Sequence, residues 1–130
     1  MPASFDYAVI RVVPRVEREE FINAGVVVFC LEKRYLAARI ELNVERLKAL
    51  WPDVDVDTVR GHLAAIERVC AGDPGGGPIA QLPLRERFHW LISARSTIIQ
   101  PSPVHTGICD ETDDLLERLA RQFLTIGTAG

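Results

Sequence analysis

Residues Phe5 to Leu31 read FDYAVIRVVPRVEREEFINAGVVVFCL, two apolar arms around a charged middle. The first arm, Phe5 to Val13, is rich in β-branched and aromatic residues and apolar on both faces, which predicts a central strand. Pro14 stops it, because proline has no N–H to give to a ladder. The charged segment Arg15 to Glu20 predicts a tight turn or one helical turn. After Asn23-Ala24-Gly25 the run VVVFCL gives a second buried strand, Ala24 to Leu31. Because both runs are near-continuously apolar, Tyr7–Val13 and Ala24–Leu31 are expected as antiparallel neighbours with both faces mostly covered.

Working outward, Glu32-Lys33-Arg34 is a polar turn. Tyr35 to Leu42 alternates, with Leu36, Ala38, Ile40 and Leu42 on one face and Arg39 and Glu41 on the other. It reads as a half-buried strand hairpinned to the second. Helices follow. Asn43 caps a short one on Val44, Leu47 and Leu50, stopped by Pro52. Val56, Val59, Leu63, Ile66 and Cys70 step by three and four, a helix entered through Asp55 or Asp57 and closed at Gly72. Leu84, Phe88 and Leu91 mark another, running to about Arg95. Ser96 to Gln100 is extended, and PSPVHTG, containing His105, is a proline-rich loop. Asp110 and Asp113 open a last helix on Leu116, Leu119 and Phe123. Strands come first and helices later, so the expected fold is α+β: a small antiparallel sheet from the N-terminal third, packed against C-terminal helices, as one domain over residues 1–130.

The chain has 130 residues, 48% of them apolar and 25% charged, the balance of an ordinary globular protein. A chain of this size buries roughly two-thirds of its unfolded surface and needs no staple. Its net charge of −3, from 18 acids and 15 bases, argues against generic nucleic-acid binding, which wants a basic surface. No signal peptide or bilayer-spanning run is visible, so no membrane role and a cytoplasmic location are expected. Cys30, Cys70 and Cys109 stand far apart and read as small buried hydrophobes, without a disulfide framework or zinc site. No metal or other cofactor is expected.

Several motifs invite chemical readings. GDPGGGP, Gly72 to Pro78, lacks the Gly-Lys-Ser/Thr ending of a phosphate loop and reads as a flexible surface linker. The acids Asp110 to Asp114 suit helix capping better than a cation site. His62 and His89 fall inside helices, and no histidine pair has metal-helix spacing. His105, placed on a loop, is a binding candidate. The arginines carry more. Arg11 interrupts an apolar strand on the face of Tyr7, Val9 and Val13, and a buried guanidinium costs several kcal/mol unless paired. Glu17, Glu19 and Glu20 are its nearest acids. Arg95-Ser96-Thr97, with Gln100 behind, can hold a phosphate or carboxylate, since arginine grips oxyanions bidentately. A structural ion pair explains the same residues. No nucleophile triad is present.

The stretches YAVIRVVPRVEREEFINAGVVVFC, Tyr7 to Cys30, and RFHWLISARSTIIQPSPVHTG, Arg87 to Gly107, resemble the two signature blocks of the DUF3037 family of bacterial proteins. The resemblance covers essentially the whole chain. It brings no biochemical activity with it, but it implies a protein partner, a HipA-like kinase-fold protein. Asn23 and Gly25 suit a backbone position of unusual dihedrals.

The site expected from these segments gathers Arg11, Glu20, Asn23, Arg95, Ser96, Gln100 and His105 around an anionic small molecule or a partner's acidic segment. The first reading is a non-catalytic binding or accessory module. The alternative is a small enzyme, or a nucleotide or phosphate-ester binder, using the Arg/Glu/Asn cluster. A third is a homodimer in which the cluster only staples the fold.

Overall fold

The computed structural model describes residues 2–93 and 97–124. Strand β1 (Ala3–Val12) lies between β2 (Ile22–Cys30) and the later strands, and β3 (Tyr35–Ile40) forms the far edge beyond β2. Two short strands, β4 (Ile99–Pro101) and β5 (His105–Cys109), share the other side of β1, β4 along its C-terminal half and β5 along its N-terminal half. Every pairing is antiparallel, so the five strands form one antiparallel sheet. The α+β expectation holds. The sheet is larger than the N-terminal third alone would make it, because β4 and β5 return from the C-terminal third.

Helices cover both faces unequally. On one side α1 (Val44–Leu50), α2 (Val56–Ala71) and α4 (Leu84–Leu91) press Leu47, Val59, Leu63, Ile66, Phe88 and Leu91 onto Ala8, Ile10, Val12, Val27 and Phe29. On the other side α5 (Leu115–Phe123) alone lays Leu115, Leu119 and Ala120 over Ala3, Phe5, Val26, Val28 and Cys30. The period of two along β1 and β2 divides their side chains between these layers, which is why both strands are apolar on both faces. Asn43 and Asp55 cap α1 and α2 as the sequence predicts, each accepting from a backbone N–H three residues on. Gly72, at φ 69°, closes α2 in the left-handed conformation.

Five expectations need correction. GDPGGGP is not a flexible linker. Asp73 accepts from Gly75 N, Pro74 starts a 3-10 turn (Pro74–Gly76), and α3 (Gly77–Ala80) follows directly. Gly76 lies so close to Ala80 that a Cβ there would come within 2.7 Å of its methyl. Helix α4 ends at Leu91 rather than near Arg95, with Ile92 as its cap. His105 is in β5, not a loop: its pairing with Tyr7 is made by a strand too distant in sequence to foresee. The last helix begins at Leu115, and the Asp114 side chain makes no capping bond. Gly25 has no unusual dihedral; positive φ among glycines falls at Gly72 and Gly77. Close packing makes Gly25 necessary, since a Cβ there would meet Ile40 Cδ1 at 2.6 Å and Arg39 O at 3.1 Å.

Candidate functional site

Strand β1 pairs regularly with β2 from Asp6 to Ile10, which faces Gly25. The register then shifts, so that Arg11 faces Asn23 and Ala24 has no opposite residue. This β-bulge decides the site. Strict alternation would put Asn23 on the face of Gly25, under α2. The extra residue turns it to the opposite face, the face of Arg11. On the other side of β1, Arg11 faces Gln100 of β4. Asn23, Arg11 and Gln100 thus form one polar rung across three strands. His105 faces Tyr7 four residues back along the same side of β1, with ring centroids 5.3 Å apart.

The amides of this rung are held in place. Asn23 Nδ2 donates to Phe123 O at the end of α5 (3.2 Å). Gln100 Nε2 donates to Thr97 O (2.9 Å). Between them Arg11 is half-buried, and its Nε is sealed from solvent with no hydrogen-bond partner. The guanidinium instead stacks on Phe21, its central carbon 4.3 Å from the ring centroid. Such a contact is worth about 0.5–1 kcal/mol at a partly exposed site and satisfies no N–H.

Glu20, expected beside Arg11, is elsewhere. Its Oε1 accepts from Arg18 Nε at 2.5 Å on the exposed loop, and that bond holds the Glu20 carboxyl below its ordinary range. Glu17 accepts from Arg15 at 2.9 Å. The physical reason is local: residues two apart on a 3-10 turn (Val16–Arg18) reach each other before either reaches back to the strand. Arg11, Asn23 and Gln100 therefore come together, His105 lies further along the same face, and Glu20 leaves. Arg95 and Ser96 lie outside the described residues.

Two contributors escape the sequence reading. Phe21 is 44% exposed, one residue ahead of β2, and its spacing of two from Asn23 is the signal that both share a face. Ser102, a buried polar residue, continues β4 toward β5. Its Oγ accepts from Val9 N at 2.8 Å and donates to Pro103 O. That side chain takes a strand partner's place between two prolines.

The fold and this rung define a small α+β protein whose central strand carries a cation with no acid beside it among the described residues. Its sequence matches the family model described as "Protein of unknown function (DUF3037)" over residues 7–124, and the chain belongs to that family. Both sequence blocks, Tyr7 to Cys30 and Arg87 to Gly107, fall within the match. No curated protein and no solved structure matches the chain. No described helix is long and apolar enough to cross a membrane.

Proposed function

We propose that this chain is a non-catalytic binding module, an accessory subunit that docks an anionic group of a protein partner at Arg11. The observation that carries the reading is the guanidinium itself: half-buried, stacked on Phe21, its Nε without an acceptor. A covered cation without an acceptor costs stability, and a partner's oxyanion at the outer nitrogens offsets that cost. Neighbouring charges do not compete, because Arg15 and Arg18 are each held by their own glutamate. The cysteines are buried, and burial pushes the Cys70 thiol up to about 12, which suits packing rather than nucleophilic chemistry. The partner suggested by the family resemblance is a HipA-like kinase-fold protein.

The test is calorimetric titration of a recombinant HipA-like protein from the same host into the wild-type chain and into Arg11→Met. The expected result is a complex with wild type that weakens about tenfold or more in the variant, whose melting temperature stays close to wild type. Equal affinities would remove Arg11 from the interface. A complex with neither would remove this partner.

A further inference from the structure

We infer that the Arg11 rung takes a carboxylate carried on an extended peptide segment with apolar neighbours, and not a phosphate. This rests on the reading of Arg11 as an anion site, and three features of the rung select among anions.

The first is charge. One guanidinium faces the ligand, and the next arginines along the loop, Arg15 and Arg18, are neutralised by Glu17 and Glu20. The protein as a whole carries −3. A phosphate ester near neutral pH carries about −1.5 to −2 and would stay under-compensated. A carboxylate carries one charge and is matched by one guanidinium.

The second is geometry. Nε is sealed, so only the outer edge of the guanidinium, its two Nη atoms, meets a ligand. Two parallel N–H groups there fit the two oxygens of a carboxylate end-on.

The third is the polarity of the flanking amides. Asn23 and Gln100 both give an N–H to a main-chain carbonyl. Among the described residues no donor reaches Asn23 Oδ1 or Gln100 Oε1. Each amide keeps its carbonyl oxygen, an acceptor, beside the one N–H it has not yet given. A peptide has backbone N–H groups to give to such acceptors. A phosphate dianion has none to give and leaves both carbonyl oxygens unmatched. Phe21, 44% exposed and stacked on the guanidinium, adds an apolar shoulder for the residues beside the acid.

The experiment follows the Arg11 Nε–H and the backbone amides of Phe21 and Asn23 by NMR in the full chain. Four probes are titrated at constant ionic strength: acetyl-Leu-Glu-Leu-amide, its glutamine and phosphoserine counterparts, and inorganic phosphate. The glutamate peptide should shift all three signals to saturation. The glutamine peptide should bind about tenfold more weakly, and neither phosphate probe more tightly than glutamate. Arg11→Met should abolish the shifts at Phe21 and Asn23. Phosphoserine or phosphate binding more tightly than glutamate would overturn the carboxylate assignment and leave the anion site standing. Signals at Arg11 that no probe moves would overturn both. Equal binding of glutamate and glutamine peptides would show that the shoulder, and not the charge, does the recognising.

Discussion

Where α2 meets α4, Arg87 gives Nε to Leu82 O and Nη1 to both Val69 O and Cys70 O, each at 2.9 Å. On the polar rung of β1, Arg11 gives nothing to any described acceptor. Both side chains are half-buried, and both sit beside the sheet's core. The first ties down the last carbonyls of α2, adding a second donor to Val69 O beside Gly72 N, and its charge complements the negative end of that helix. The second ties down nothing. An arginine that serves the fold is recognised by the acceptors the fold supplies. Arg11 Nε lacks one among the described residues, which is the observation behind the proposed binding role.

The contrast can be broken at four places. Cys70, beneath Arg87, should show the largest effect. With its thiol pushed up to about 12 by burial, its thiolate fraction at pH 8 is about 10⁻⁴, against about a quarter for a free cysteine. Alkylation of the native chain at Cys70, read by mass spectrometry, should be roughly a thousandfold slower than in denaturant. Fast native labelling would show that the α2–α4 junction opens readily. Next is Arg87→Met, which removes the side-chain donor from three carbonyls, of which Val69 O keeps Gly72 N. It should cost about 2 kcal/mol in urea unfolding and speed Cys70 labelling. An unchanged midpoint would make Arg87 no better tied than Arg11.

Gly25→Ala comes third, at about 1–2 kcal/mol, because the new methyl drives into Ile40 and the main chain of Arg39 beside the bulge. If the bulge sets the rung, the Asn23 side-chain amide signal should move as well. A destabilised variant with an unmoved Asn23 signal would uncouple the two. The smallest change belongs to Arg11→Met, within about 1 kcal/mol of wild type in either direction, since the variant loses one ring contact and one unpaired charge. A loss matching that of Arg87→Met would class Arg11 as structural.

The sequence makes the layers of this fold legible and its site only partly so. The near-continuous apolar runs of β1 and β2, the period of two in β3 and the steps of three and four in α2 are local, and they survive in the structure. Arg11 stands out because a charge in an apolar strand is a local anomaly. Its neighbours are not local. Asn23 reaches its face through a one-residue bulge, which no pattern of alternation reveals. Gln100 and His105 arrive on strands of three and five residues, too short to carry a periodic signal. Glu20 is the instructive failure: nearness in sequence suggested a partner for Arg11, but a side chain two residues away claimed it first. Nothing around Arg87 marks it as a staple either, because its acceptors are main-chain carbonyls that every residue possesses.

Strand β1 has one further consequence, for the order of events during synthesis. Its pairing with β2 closes within the first 30 residues, but its other edge waits for residues 99–109. Asp6 and Thr106, joined by a 2.8 Å side-chain bond, are 100 residues apart. On a ribosome adding about 5–20 residues each second, that edge of AVIRVV stays open for several seconds. An apolar strand with a free edge recruits other nascent chains, and a charge within it discourages such pairing. Arg11 sets such a charge in the middle of the stretch of β1 that β4 later covers.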